Sequence, residues 1–211
     1  MYILKGVSMR IFAAADIHGS QYRLNLILDN IERYNPDIAV IAGDITQFGP
    51  GDVARNFLDQ IPVYTLTLPG NIDTSDVLKG IEESKAENIH LRRIEYQNVT
   101  FVGINGVRES ETIDFIEKNK DKLSNIDVLV THIPPYGLQD RVFLGLHSGD
   151  KTLRELVDTW KPRLVISGHI HENPGYTKTP NGSIIVNCSI GKKGSGALIK
   201  YGKEITVEML E

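Results

Sequence analysis

Six short runs of almost unbroken apolar residues, at 9–15, 37–42, 63–68, 99–104, 127–131 and 163–167, recur along the chain with helical patterns between them. A strand that is apolar on successive residues has no polar face to turn to water, so both of its sides must be covered. Such strands alternating with helices define the α/β class. The helical segments carry matching stripes. Leu24, Ile27, Leu28 and Ile31 fall at the i, i+3, i+4, i+7 spacing of one helix face, and Leu153, Leu156, Val157 and Trp160 repeat it. Both stripes read as core packing, which makes Trp160 a core anchor rather than a stacking platform. Three further strand patterns, at 183–187, 197–201 and 205–209, close the chain. With Gly-Lys pairs between them they read as a meander on the sheet edge.

The ends of these runs carry the chemistry. The first leads into Asp16-x-His18, the second into Gly43-Asp44, the third into Gly70-Asn71, the fifth into Thr131-His132, and the sixth into Gly168-His169-Ile170-His171. Parallel sheets gather functional groups at the carboxyl ends of their strands. In an extended segment residues two apart share a side, so Asp16 and His18 are expected to reach one ion together. A lone Asp or His at a strand end is ordinarily a cap or turn residue. Repetition at strand after strand points instead to a metal centre. Four of the six histidines occupy these positions, and imidazole with carboxylate suits Mn, Fe, Zn or Ni.

Composition narrows the function classes. The chain has 211 residues, the size of one domain, and a net charge of -4. Without a basic stripe, extended nucleic acid binding is not expected, whereas a small phosphate ester or nucleotide remains compatible with a metal pair on an acidic protein. Cys188 is the single cysteine, so no internal disulfide exists and a reducing, cytoplasmic setting is expected. No apolar run has membrane-spanning length. Met9 opens the first strand, so residues 1–8 read as an extension and residues 9–211 as the domain. The glycine-rich 191–196 segment does not fit a phosphate-binding loop and reads as a hairpin loop.

The ordered series D-x-H, GD, GN, H, G-H-x-H resembles the calcineurin-like metallophosphoesterase superfamily. The Thr131-His132-Ile133-Pro134-Pro135-Tyr136-Gly137 and Gly168-His169-Ile170-His171-Glu172 segments further resemble its small, single-domain Icc-related phosphoesterases. The resemblance implies a four-layer αββα sandwich with two divalent metal ions, manganese first among the candidates, at the top of the sheets. It implies that Asp16, His18 and His171 hold one ion, that Asn71, His132 and His169 hold the other, and that Asp44 bridges them. The implied reaction is hydrolysis of a phosphate ester by metal-bound hydroxide, with phosphodiesters favoured. The alternative is a protein-binding scaffold with a weak or vestigial site.

One position departs from the family pattern. Members often carry His after the Asn of the GN motif, where this chain has Ile72. Ile cannot donate a proton, so slow turnover on poor leaving groups is expected. His147 is the candidate replacement, set against the plainer reading of a solvated loop histidine. Asp73 is read either as a residue orienting a ligand or as the N-cap of the helix that follows. His90 matches no motif and reads as a surface strand residue, and Arg108 and Arg141 read as solvated.

Overall fold

The computed structural model describes residues 8–120, 123, 125–191 and 194–211, so the expected extension lies, apart from Ser8, outside the described residues. The chain folds as two six-stranded sheets. The first sheet contains β1 (Met9–Ala14), β2 (Ile38–Ile41), β3 (Thr65–Thr67), β4 (Glu87–Asn88), β11 (Ala197–Tyr201) and β12 (Thr206–Met209), in the order β12-β11-β1-β2-β3-β4. The second contains β5 (Arg92–Tyr96), β6 (Val99–Gly103), β7 (Val128–Val130), β8 (Leu164–Ser167), β9 (Gly175–Lys178) and β10 (Ile184–Asn187), in the order β5-β6-β7-β8-β10-β9. β1 through β4 are mutually parallel, as are β6, β7, β8 and β10, while β5, β9 and β11 pair antiparallel with these sets and β12 pairs antiparallel with β11.

Successive residues of one strand enter two different cores, which is why the strands are apolar throughout. Ile11, Ala13 and Ala15 face the second sheet across a core shared with Val99, Phe101, Leu164 and Ile166. Their neighbours Phe12 and Ala14 pack instead against Leu24, Ile27 and Ile31 of α1 (Gln21–Tyr34), in a layer completed by α2 (Gly51–Asp59) and α3 (Ser75–Glu82). On the far side Val102, Leu129 and Val165 meet Leu153, Leu156 and Val157 of α5 (Lys151–Trp160), and α4 (Glu109–Asn119) flanks them. The result is a single α/β domain of four layers, αββα. Trp160 packs against the outer cluster only partly buried.

Helix starts follow local chemistry. The Ser20 hydroxyl accepts from the Arg23 N–H and opens α1, and the Asp150 carboxylate accepts from the Leu153 N–H at 2.7 Å and opens α5.

The C-terminal strands are not a meander. β10 pairs parallel with β8 and antiparallel with β9, whereas β11 pairs with β1 and β12 in the other sheet. The loop between them is therefore a crossing between sheets rather than a hairpin, and its residues 192 and 193 lie outside the described residues. The apolar pattern of β10 and β11 cannot tell which sheet they join. The crossing is tied to β1 through the Ile190 N–H, which donates to the Ala15 carbonyl at 3.1 Å.

Candidate metal centre

The carboxyl ends of β1, β2 and β3 in one sheet and of β7 and β8 in the other converge on one edge of the sandwich. The segment after β1 is laced to the segment after β2: the N–H groups of Asp16, His18 and Gly19 donate to the carbonyls of Gly43, Asp44 and Ile45 at 2.9–3.0 Å. Asp16 and His18 are not extended, as the period-two argument assumed. Both are left-handed, with φ of 67° and 53°, as are Asp44 at 52° and His169 at 68°. Non-glycine residues rarely adopt this conformation, and it persists where surrounding contacts enforce it. Here a tight turn, rather than strand alternation, aims both side chains at one place.

Two glycines allow the loops to close. Gly43 has φ of 91°, and a Cβ there would lie 2.6 Å from His132 Nδ1. A Cβ on Gly70 would lie 2.0 Å from Asp44 Oδ1. Both glycines thus pack against side chains of the site itself, and any larger residue would push Asp44 or His132 aside.

Two clusters result, Asp16 with His18 and His171, and Asp44 with His132 and His169. In each, one donor atom per residue lies within 4.8 Å of the others. His18 Nε2 faces His171 Nε2 at 3.2 Å, and His171 Nε2 lies 3.5 Å from Asp16 Oδ1. His132 Nε2 lies 3.4 Å from Asp44 Oδ2 and 2.8 Å from Asn71 Oδ1, so Asn71 joins the second cluster. The Asp16 carboxylate also accepts the His169 N–H at 3.0 Å, which ties the clusters together.

The donor set fits divalent cations. Metal–ligand bonds of about 2.0–2.2 Å place neighbouring ligands about 3 Å apart, the spacing seen here. Two imidazole nitrogens facing each other leave at least one lone pair without a hydrogen in the neutral state, which a cation would take. His132 Nδ1 donates to the Ala42 carbonyl at 2.8 Å, and since a carbonyl only accepts, the neutral ring keeps its lone pair on Nε2, inside the cluster. Cys188 is buried and stands outside both clusters.

Burial and mutual charge set the protonation of these groups in the metal-free protein. Burial alone would raise the Asp16 pKa, but the His171 hydrogen bond and the field of His132 carry it below the usual carboxylate value. Burial works against charge on His132, yet hydrogen bonding and attraction to Asp44 raise its pKa. His171 is raised chiefly by its hydrogen bond to Asp16. His18 and His169 are lowered, in both cases mainly by desolvation.

Asp73 is not the helix cap. The Thr74 hydroxyl caps α3 by accepting the Val77 N–H. The Asp73 carboxylate accepts from the N–H groups of Ile45, Thr46 and Gly70 at 3.1, 3.2 and 2.9 Å, joining the loop of Asp44 to the loop of Asn71. Burial raises its pKa despite those donors.

His147 stands apart. Its Nδ1 lies 2.6 Å from Oδ1 of the fully buried Asp140, which also accepts from the Gly137 and Gly149 N–H groups. The cleft it lines includes Arg141, Asn173 and Thr177 but none of the seven candidate ligands. His90 is no surface strand residue: it bridges to Gly103, is mostly buried and lines a groove with Asn71. Arg108 is exposed on that groove and paired with Glu111 at 2.8 Å. Neither Asp140 nor His90 sits in a recognisable motif, and only the pairing that brings β6 beside residue 90 reveals the latter.

The sequence pattern of the calcineurin-like phosphoesterases matches residues 9–173. The chain belongs to that family. Its members are dinuclear metal enzymes, and the two clusters described above are possible metal-binding groups. An uncharacterized protein of Methanocaldococcus jannaschii is 31% identical over 198 residues, covering 86% of this chain and 88% of that protein. A probable cyclic nucleotide phosphodiesterase of Synechococcus is 22% identical, covering 71% of this chain and 64% of that protein. The crystal structure of a Thermus thermophilus protein superposes with a TM-score of 0.73 at 13% identity, over 97% of this chain and 100% of that one, a likeness of fold. Among the described residues, no helix is long and apolar enough to cross a membrane.

Proposed function

We propose that the chain hydrolyses a phosphate ester, preferably a phosphodiester, with two divalent cations held by seven side chains. Asp16, His18 and His171 hold one, Asn71, His132 and His169 hold the other, and Asp44 is shared. The observation that carries this reading is the pair of clusters meeting at a common rim, with donor spacings suited to cations. Oxygen and nitrogen donors without thiolate accommodate manganese, iron, zinc or nickel, and manganese is the ion proposed here. When bound, such a pair acidifies a water molecule and offsets charge on phosphoryl oxygens.

The protein's own contributions are positional. The Ile72 N–H donates to Asp44 Oδ1 at 3.1 Å and holds the shared carboxylate in place, while the Ile72 side chain supplies no proton. A leaving alkoxide therefore gains no protein acid at this position, which favours esters with good leaving groups. The name of the Synechococcus relative supports a diester. His147, oriented by Asp140, is the proposed proton donor from outside the clusters. Its replacement by Gln is expected to slow poor leaving groups selectively at unchanged metal content. The scaffold reading has less support, because a vestigial site would have lost ligands and all seven side chains are present. The single buried cysteine agrees with a cytoplasmic setting.

The test is hydrolysis of bis-p-nitrophenyl phosphate and p-nitrophenyl phosphate by metal-stripped protein reloaded with Mn²⁺, beside Asp44→Ala. Turnover that depends on metal, prefers the diester and vanishes in the variant is expected. Equal turnover by Asp44→Ala would contradict the site assignment.

A further inference from the structure

A groove of about 290 Å³ opens beside Asn71, between the first turns of α3 and α4, and none of the other six candidate metal ligands lines it. This is near the lower end of small-molecule sites, room for about one ring system. Leu78 and Val107 form exposed apolar walls on either side. Asn105 is only 8% exposed, and its Oδ1 is engaged by the Val107 N–H at 3.0 Å. Asn105 lines the groove, and its Nδ2 makes no hydrogen bond among the described residues, so it is the donor offered there. His90 accepts the Asn105 N–H on Nδ1 at 3.4 Å, which leaves its hydrogen on Nε2, 3.9 Å from Glu111.

The charges select what enters. Among the described residues Arg108 is the one fixed cation on the lining, and Glu111 neutralises it, while Asp73 adds a second carboxylate. An additional phosphate would meet net negative charge, whereas a neutral body meets apolar walls and two hydrogen-bond donors. We propose that this groove holds the neutral alcohol arm of the phosphate ester, a ring packed between Leu78 and Val107 with an edge acceptor hydrogen-bonded to Asn105 Nδ2. Nucleosides and simple aryl alcohols share this chemistry. The assignment rests on the phosphoesterase reading, because the groove borders the candidate centre only through Asn71.

The test separates the groove from the hydrolase. Isotope-labelled, metal-free protein is titrated with thymidine and separately with p-cresol, and amide shifts are followed at residues 71–78 and 105–108. Saturable shifts with thymidine assign a nucleoside arm, shifts with p-cresol alone assign an aryl arm, and shifts with neither overturn the proposal. Leu78→Trp, or Val107→Trp should the first variant fold poorly, should weaken this binding about tenfold, a modest hydrophobic-pocket effect. In Mn²⁺-loaded protein of unchanged metal content it should raise KM for bis-p-nitrophenyl phosphate by a similar factor. Groove binding without hydrolysis would refute the hydrolase reading and with it the assignment to an alcohol arm, leaving only a ring-binding groove. Hydrolysis with no groove shifts and an unaltered KM would refute the groove alone.

Discussion

Replacing Asp73 with Ala removes the carboxylate that joins the loop of Asp44 to the loop of Asn71. Three backbone donors, Ile45, Thr46 and Gly70, lose their acceptor together. Hydrogen bonds to an ionised group contribute about 1.5–3 kcal/mol each, but burying the carboxylate offsets much of that, as its raised pKa shows. A net loss of about 3 kcal/mol is expected once water reaches the freed amides. For a chain of this length that lowers Tm by about 6–12 °C. Thermal melts of metal-free Asp73→Ala, with Thr74→Ala alongside, measure it. Loss of the Thr74 cap should cost only about 1 kcal/mol. Because the two joined loops carry Asp44 and Asn71, Asp73→Ala should also weaken Mn²⁺ binding about 10–100-fold, whereas Thr74→Ala should leave it unchanged. Melting within about 1 kcal/mol of the parent, or the full loss of stability at unaltered metal affinity, would refute this account of Asp73.

Gly70→Ala drives a Cβ to within 2.0 Å of Asp44 Oδ1. It should cost about 1–3 kcal/mol by overpacking and abolish stoichiometric metal binding; parental metal content would contradict the geometry. Asp140 is lowered in pKa, burial being outweighed by the His147 hydrogen bond and the Gly137 and Gly149 amides. A depressed folded-state pKa contributes stability that is present above the unfolded value, about 3.9, and is lost as pH falls through the folded value. Acid titration of stability in metal-free Asp140→Asn should therefore be shallower below that pH than in the parent, and identical slopes would count against it. Tyr201 on β11 donates to Asp127 Oδ1 at 2.8 Å, while Asp127 Oδ2 accepts the Thr100 N–H of the opposite sheet. Tyr201→Phe should lower stability by about 1–2 kcal/mol in urea melts.

The layered fold was legible because β1, β2, β6 and β8 each feed two cores and so carry no polar face. The shortest strand and the polar edge strand were not. β4 has two residues, and the Arg92-Arg93-Ile94-Glu95-Tyr96 segment of β5 places charged side chains in water at a sheet edge. Pattern could not assign β10 and β11 to different sheets either, since both are apolar and pairing is a long-range property. Within the site, side-chain identity and order were enough to nominate the side chains that converge. The left-handed turn at Asp16 and His18 was hidden, because it depends on hydrogen bonds to Gly43 and Asp44. Asp73 was ambiguous for the same reason: a residue just before a helix resembles a cap until its partners, 27 and 28 residues upstream, are known.

The central claim is that seven side chains from five strand ends hold two cations that support phosphoester hydrolysis. Titrating Mn²⁺ into metal-stripped protein while following p-nitrophenolate release from bis-p-nitrophenyl phosphate tests it most directly. The account predicts release that rises with bound metal and levels off at two ions per chain. Saturation without release, or no stoichiometric binding of any divalent cation, would contradict it.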